Sequence, residues 1–168
     1  MGPSGSGKSL VGALLAERLG VPFVDADSLH PASNVAKMAA GIPLDDADRW
    51  PWLDAVGAAM SAQSAGIVAA CSALRRAYRD RLLRTEPRAV FVELLVDRAT
   101  LADRMSARAH FMPASLLDSQ LRAFEPLASD EPGFAVRNEG DLDALLNEIV
   151  QGLRSRPDSD VPGDQSLR

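Results

Sequence analysis

Cysteine, lysine and long apolar runs are scarce in this chain, and each scarcity argues against a particular type of structure or partner. The 168 residues include one cysteine, Cys71, so an intramolecular disulfide is excluded and a reducing compartment is favoured. Lysine occurs only as Lys8 and Lys37, beside sixteen arginines, and the net charge is −5. A chain this acidic is a poor general binder of nucleic acid or of an anionic membrane, so neither partner is expected.

Nothing in the composition points to a membrane or to secretion. No apolar run approaches the roughly 18 residues of a membrane helix, and no signal-peptide pattern is visible. Length and hydrophobic content suit one globular domain with a full core. The sequence therefore predicts a cytoplasmic, single-domain protein that must gather positive charge locally if it handles an anionic substrate.

The most informative motif stands at the start, where GPSGSGKS matches G-x-x-x-x-G-K-S/T at every fixed position. Glycines let several backbone N–H groups point at one phosphate chain, the lysine reaches the β- and γ-phosphates, and the final hydroxyl can ligate Mg²⁺. The predicted nucleotide-binding residues are Gly2, Pro3, Ser4, Gly5, Ser6, Gly7, Lys8, Ser9 and Leu10. Ser9 is the predicted metal ligand. A merely flexible Gly/Ser-rich segment is disfavoured, because helical spacing follows at once and stops at Gly20.

A strand should precede such a loop, and only Met1 does so here. That strand would lie at the centre of the sheet, so its loss leaves two inner strand edges unpaired. We therefore expect the first central strand to be missing from this chain, and Met1 to be an internal residue of a longer natural sequence. A chain that truly began at Met1 would be expected to have low stability and weak ATP binding.

Apolar runs and helical spacing predict an α/β domain over residues 1–154. Strands are predicted at 22–24, 66–70, 89–96 and 133–136, and helices at 8–19, 32–40, about 45–64, 75–81, 97–108, 114–124 and 141–153. The break between the helices of 104–124 is typical of a hinged lid. Residues 155–168 are rich in Pro, Asp, Ser and Gly and are predicted to be a disordered tail.

Several charged residues are candidates for chemistry. Asp27 follows a strand end, where open α/β sheets bind ligands, and is the candidate general base, with His30 close behind. Asp27 could equally be a helix cap. Arg49 beside two tryptophans can clamp an anion. Arg104 and Arg108, one turn apart, can lie over a phosphate chain or form a solvated face.

Other polar residues have simpler interpretations. Asp45 and Asp46 are placed to complement a helix dipole. The basic helix after Leu74 is expected to be mostly a solvated face, with one or two arginines reaching the cleft. Cys71 is expected to be a small buried residue rather than a nucleophile.

Four segments together resemble the gluconate kinase (gluconokinase) family: GPSGSGKS, DADSLHPASNVAKMAAGIPLDDADRWPWL, CSALRRAYRD and HFMPASLLDSQ. They span the chain from Gly2 to about Pro126, and the second is long and unusual. The resemblance implies a three-layer, nucleoside-kinase-like P-loop fold with a parallel sheet and a helical lid. It also implies ATP and Mg²⁺, phosphorylation of D-gluconate to 6-phosphogluconate and, commonly, a homodimer.

The same resemblance implies roles for individual residues. The catalytic group is Lys8, Asp27, Arg104 and Arg108, and the substrate group is Asp27, His30, Lys37, Arg49, Arg75 and His110. Arg49 or Arg75 would pair with the gluconate carboxylate, with His30 and Lys37 on its hydroxyls. The chain departs from the family in a tight Arg108-Ala109-His110 run, in Val96 and in a polar Val136-Arg137-Asn138 stretch.

Two alternatives stay open at this point. One is another small-molecule kinase of the same fold, for shikimate or a nucleotide, although CSAL stands where a shikimate kinase would have a Gly-rich turn. The other is an inactive nucleotide-binding protein, which the missing strand would favour. A GTPase is disfavoured because no N-K-x-D motif occurs.

Overall fold

The computed structural model describes residues 1–107 and 114–156, and the described chain alternates helices with parallel strands. The strands are β1 (Phe23–Asp25), β2 (Val68–Ala70), β3 (Phe91–Leu95) and β4 (Gly133–Arg137). The α-helices are α1 (Lys8–Leu19), α2 (Ala32–Ala39), α3 (Asp46–Ser61), α4 (Arg76–Thr85), α5 (Arg98–Ala107), α6 (Ala114–Ala123) and α7 (Leu142–Arg154), and a 3₁₀ turn spans Ala26–Leu29. The predicted element order is confirmed, with bounds shifted by a few residues.

The sheet is parallel but divided into two pairs. β1 lies beside β2 with Val24 opposite Ala69, and β3 lies beside β4 with Glu93 opposite Ala135. A cavity of about 1070 Å³ lies between β2 and β3. The expected pair of separated inner strand edges is therefore present, and the two halves of the sheet meet only through helices and loops.

Met1 lies at one end of this cavity and is hydrogen-bonded like the last residue of a strand. Its amine donates to Val92 O, and Leu94 N donates to Met1 O over 3.0 Å. Gly2 N donates to Ser72 O over 3.1 Å, on the other side of the cavity. Burial, and then the charge of Lys8, lower the pKa of the Met1 amine from 8.0 to about 5.

Two hydrophobic clusters flank the divided sheet. One includes Trp52, Leu53 and Val56 of α3 with Leu82 of α4, and Met1 packs against it. The other joins α1 and α7 to the β3–β4 pair. Helices thus cover both faces of the sheet, as parallel strands require.

The expectation that the arginines of α4 form a mostly solvated face is wrong for Arg79. Its side chain is fully buried and pairs bidentately with Glu131, which is also buried. The same guanidinium donates to Ala73 O and Glu125 O, so the loop after β2 is tied to the loop after α6. The hydrogen bonds from Arg79 lower the pKa of the Glu131 carboxyl. The charge of the Arg79 guanidinium can be buried here because its N–H groups have hydrogen-bond acceptors.

Some predictions fall outside the described residues. Arg108, His110 and most of the predicted tail lie in 108–113 and 157–168, so the hinge of the lid and the nature of the tail remain predictions. No helix among the described residues is long and apolar enough to cross a membrane.

Candidate active site

The glycine-rich loop curls as an anion-binding loop must. Gly2, Gly5 and Gly7 have φ values of 139°, 85° and 90°, in the region that side chains disfavour. A Cβ on Gly7 would also lie 2.6 Å from Asn138 Nδ2, so the Asn138 side chain would have to shift. The loop ends at the N-terminus of α1, which adds its positive dipole end to the site.

Donor groups in this loop are available for an oxyanion. The Ser6 hydroxyl is buried and has no hydrogen-bond partner among the described residues. Lys8 Nζ folds back and donates to Pro3 O over 2.9 Å, so its ammonium lies over the loop. Phosphate oxygens are the ligands that such a concentration of donors suits.

Ser9 and Asp25 form the site best suited to Mg²⁺. Asp25 ends β1, and its Oδ2 accepts a 2.6 Å hydrogen bond from Ser9 Oγ at the start of α1. A hydroxyl and a carboxylate beside a phosphate-binding loop are the oxygen ligands that Mg²⁺ prefers, since it binds through one or two protein groups, water and substrate phosphates. The described residues contain no cluster of three or more His, Cys, Asp or Glu side chains that could hold a metal ion.

Asp27 lies two residues further on, in the 3₁₀ turn. Its backbone N–H donates to Asp25 Oδ1, which makes Asp25 the cap of the turn and leaves the Asp27 carboxylate uncommitted to capping it. The side chain reaches solvent, although protein atoms crowd much of it. That crowding, and then the charge of Asp25, raise the pKa of Asp27, while Lys8 lowers it. A carboxylate with a raised pKa beside a lysine is suited to receive a proton.

His30 is held by its ring and by one nitrogen. The imidazole stacks on Trp52 with ring centroids 4.2 Å apart, and Trp52 Nε1 donates to Ala26 O over 2.7 Å. Asn34 Nδ2 lies 3.3 Å from His30 Nδ1 and also donates to Asp48 O. Because the amide nitrogen can only donate, His30 Nδ1 accepts and Nε2 carries the proton of the neutral ring.

Two arginines converge on Tyr78. The Arg49 guanidinium lies 5.6 Å from the ring centroid and donates to the hydroxyl over 3.3 Å. Arg75 lies 5.8 Å from the same centroid but binds both oxygens of Asp46 at 3.0 Å. Tyr78 Oη also donates to Asp46, over 2.6 Å, and this bond is the main cause of the lowered pKa of Asp46. Both do more than complement a helix dipole, since Asp46 holds Arg75 and Tyr78 and Asp45 is the N-cap of α3.

Lys37, predicted on the substrate, is ion-paired instead. Its Nζ lies 2.6 and 2.7 Å from the two oxygens of Asp48, and this bond is the main cause of the raised pKa of Lys37. Asp48 in turn completes the capping box of α3 with Asp45. The pair fixes α2 against the start of α3, so Lys37 at least supports the wall that carries His30.

The described part of the predicted lid touches the loop at two points. Arg104 donates to Gly5 O over 3.4 Å and to Asn138 O over 3.2 Å, so it lies over the loop rather than on a solvated face. Gln120 Oε1 of α6 accepts from Ser4 N over 2.8 Å.

Four contributors escaped the sequence analysis: Asp25, Tyr78, Gln120 and Asn138. Asn138 donates to Ser6 O over 2.8 Å from the end of β4. Of these four residues, only Asp25 could have been predicted from the sequence, because it is nearer to the end of the strand than Asp27 is.

The site thus places Asp27 within reach of the charge of Lys8 in the glycine-rich loop, and His30 within reach of the charge of Arg49. A family model described as an AAA domain matches residues 1–127. The gluconokinase of Gluconobacter oxydans is 44% identical over 159 residues, a match covering 92% of this chain and 89% of that protein. The chain belongs to the gluconokinase family. A crystal structure of a gluconokinase from Sinorhizobium meliloti agrees, with a TM-score of 0.84, 45% identity and coverage of 92% and 89%.

More distant structures support the fold alone. An APS kinase of Mycobacterium tuberculosis shares 19% identity over 92% of this chain and 95% of its own, with a TM-score of 0.59. The predicted P-loop α/β kinase fold is therefore confirmed by close gluconokinase relatives and by a remote kinase.

We predict that His30 stays neutral throughout the physiological range. Burial, and then the charge of Arg49, lower its pKa from 6.5 to about 4. The stability that the neutral ring contributes is therefore full above about pH 6.5 and lost as the pH falls through about 4.

Proton NMR measures this, since the chain has only two histidines. His30→Gln assigns the His30 signals, and His110 supplies a second imidazole in the same spectrum. A His30 signal that shifts with a midpoint near 6.5 would show that the ring charges normally.

Proposed function

We propose that this chain is a gluconokinase, which transfers the γ-phosphoryl group of ATP to a hydroxyl of D-gluconate and releases 6-phospho-D-gluconate and ADP. The observation that carries the proposal is the 44% identity to a gluconokinase across 92% of the chain. The site supports it, because the Asp27 carboxylate feels the charge of Lys8 in the glycine-rich loop, and the neutral His30 imidazole feels the charge of Arg49. The carboxylate can accept a proton, the imidazole can hydrogen-bond a substrate hydroxyl, and the arginine can bind the carboxylate of gluconate.

The loop binds the nucleotide and holds its phosphates in place. Backbone N–H groups of Gly5 to Ser9 and the Lys8 ammonium surround the phosphate chain, and Arg104 adds charge from above. Ser9 and Asp25 would hold Mg²⁺, which neutralises charge on the β- and γ-phosphates when bound. Arg108 and His110 are proposed to complete this side from the lid.

Asp27 is proposed to receive the proton. The gluconate hydroxyl oxygen forms a bond to the γ-phosphorus while the bond to the bridging β,γ-oxygen breaks, and the hydroxyl proton passes to Asp27. The raised pKa of Asp27 makes its carboxylate a better acceptor than an ordinary aspartate. Lys8 stabilises the charge that develops on the transferring group.

Arg49, rather than Arg75, is proposed to bind the gluconate carboxylate. Arg75 is already bound bidentately by Asp46 and lies 3.7 Å from Glu125. Arg49 makes one 3.3 Å hydrogen bond to a neutral hydroxyl, and its charge reaches His30. A guanidinium with donors left over can bind a carboxylate bidentately. His30 Nε2–H is proposed to donate to a gluconate hydroxyl, with Lys37 in support.

Two further expectations belong to the proposal. The homodimer that is common in the family is proposed for this chain and is measured by sedimentation. A cytoplasmic location follows from the proposed use of ATP and a soluble metabolite.

We predict ATP- and gluconate-dependent release of ADP in a coupled assay, with no turnover of shikimate or nucleoside monophosphates. Lys8→Ala should lower kcat by roughly 100-fold or more, the scale of losing one preorganised charge-stabilising donor. Arg84→Ala is the control, because it removes an exposed cation in the last turn of α4 that, among the described residues, bonds only within its own helix. Turnover of another acceptor would support a different kinase of this fold, and nucleotide binding without any turnover would support an inactive protein.

We predict that substitutions at Asp27 and at Asp25 impair the reaction in different ways. Asp27→Asn should keep ATP binding and lower kcat by roughly 100- to 10,000-fold, the range of general-base catalysis. Asp25→Asn should raise the Mg²⁺ concentration for half-maximal rate. Titrating Mg²⁺ with each variant separates the two roles, and equal Mg²⁺ dependence would remove Asp25 from the metal shell.

We predict that Arg49→Gln raises KM for gluconate by about 10- to 100-fold with a small change in kcat, as expected for a lost charged hydrogen bond. Arg75→Gln is the matched control and should change KM less. Steady-state kinetics with gluconate varied at saturating ATP gives both values. A larger effect at Arg75 would reverse the assignment.

A further inference from the structure

Tyr78 is buried in the first turn of α4, against the start of α3, and its hydroxyl is hydrogen-bonded to two charged side chains. The whole residue is 2% exposed. Its hydroxyl contacts Asp46 and Arg49, both of which belong to α3. Burying a hydroxyl costs free energy unless it is hydrogen-bonded, and a phenylalanine ring would fill the same space without that requirement. The hydroxyl therefore needs an explanation beyond packing.

The two hydrogen bonds of this hydroxyl have defined directions. A guanidinium has only donors, so the 3.3 Å contact with Arg49 must use a lone pair of the phenol oxygen. The phenol proton accordingly goes to Asp46, over 2.6 Å. Burial, and then this bond to Asp46, raise the pKa of Tyr78, so the proton stays on the hydroxyl at neutral pH. Because its proton is committed to Asp46, the hydroxyl presents an acceptor to Arg49.

Helix geometry brings both charged groups to the same hydroxyl. Asp46 and Arg49 are three positions apart in α3, so they lie on one face of the helix. The capping box of Asp45 and Asp48 fixes the backbone of this first turn, and Arg49 N donates to Asp45 O over 3.2 Å. The hydroxyl of Tyr78 is the group that joins the two side chains. Without it, the Asp46 carboxylate is available to neutralise Arg49.

The ring of Tyr78 restrains Arg49 in a second direction. The guanidinium carbon lies 5.6 Å from the ring centroid, while one of its nitrogens donates to the hydroxyl. A long side chain that is free to change rotamer must be ordered when it binds a ligand, and that ordering weakens the binding. Two contacts with one rigid, buried residue fix Arg49 before a ligand arrives.

We propose that Tyr78 is a positioning residue for substrate recognition, because its hydroxyl, oriented by Asp46, holds the Arg49 guanidinium in the direction in which it binds the carboxylate of the sugar acid. This assignment rests on the proposed function, in which Arg49 binds that carboxylate. Tyr78 acts through Arg49 and does not touch the substrate. Its effect belongs to acceptor binding rather than to phosphoryl transfer, since Arg49 meets the carboxylate and not the reacting hydroxyl.

The test is a double-mutant cycle of the wild-type chain, Tyr78→Phe, Arg49→Gln and the double variant. Tyr78→Phe keeps the ring and removes only the hydroxyl. Trp50→Phe is the control, because Trp50 packs edge-on against the same ring, 5.5 Å between centroids, without a bond to the hydroxyl. Steady-state kinetics with gluconate varied at saturating ATP, and then with ATP varied at saturating gluconate, gives kcat and both KM values.

We expect Tyr78→Phe to raise KM for gluconate by roughly 3- to 10-fold, the scale of one lost hydrogen bond to a charged group. The values of kcat and of KM for ATP should change by less than about twofold, as should KM for gluconate in Trp50→Phe. In the Arg49→Gln background, Tyr78→Phe should change KM for gluconate by less than about twofold, because the residue through which it acts is already gone.

The His30 ring gives a second readout that requires no turnover. The charge of Arg49 helps to lower the pKa of His30 to about 4, so the ring reports where the guanidinium lies. In Tyr78→Phe, release of Arg49 should move the His30 midpoint upward from about 4, as measured by proton NMR, since loss of a nearby cation favours the charged ring.

Several outcomes would overturn the assignment. An unchanged KM for gluconate in Tyr78→Phe, or an unmoved His30 midpoint, would show that Arg49 keeps its place without the hydroxyl. An equal rise in KM in both backgrounds, or a parallel rise in KM for ATP, would show that the substitution loosens the site in general. If the wild-type chain does not phosphorylate gluconate, the proposed function fails, and the His30 midpoint alone then decides whether Tyr78 positions Arg49.

Discussion

The site depends on one constraint, which is that several backbone N–H groups must converge on a single point. No side chain can supply this, so the loop passes through positive φ at Gly2, Gly5 and Gly7. A loop with such a backbone needs external support, and it receives it from three directions. Asn138 holds Ser6 O, Arg104 holds Gly5 O, and Gln120 holds Ser4 N. Elements remote in sequence therefore converge on eight residues at the start of the chain.

The partners of the arginines matter because an acidic chain needs local positive charge to bind an anionic substrate. Several arginines are already paired with a carboxylate, as in the pairs Arg75–Asp46 and Arg81–Asp54. Arg49 is held by the ring and hydroxyl of Tyr78 instead of by an acid. Aromatic support positions a guanidinium without cancelling its charge, whereas a carboxylate does both. This distinction separates the proposed binding arginine from its neighbours.

Short-range patterns made much of this structure predictable. The loop motif, the acidic start of α3, and the order of strands and helices all rest on interactions within a few residues. The burial of Arg79 and the support from Asn138 rest on partners 52 and 132 positions away, and no local pattern encodes such a distance. Asp25 was overlooked for another reason: in Asp25-Ala26-Asp27 both carboxylates fit a strand end, and only the position of Ser9 distinguishes them.

The buried pair of Arg79 and Glu131 has a consequence for how this chain can evolve. Removing either partner alone leaves an uncompensated charge in the interior, which destabilises a protein by about 3–5 kcal/mol, a large share of a typical total of about 5–15 kcal/mol. Replacing both with apolar residues of similar volume is often neutral. Either single substitution is therefore expected to destabilise the protein. The two positions are expected to change together or to stay unchanged. Arg79 also joins the loops after β2 and α6, so the same constraint is expected to preserve the contact between these two loops.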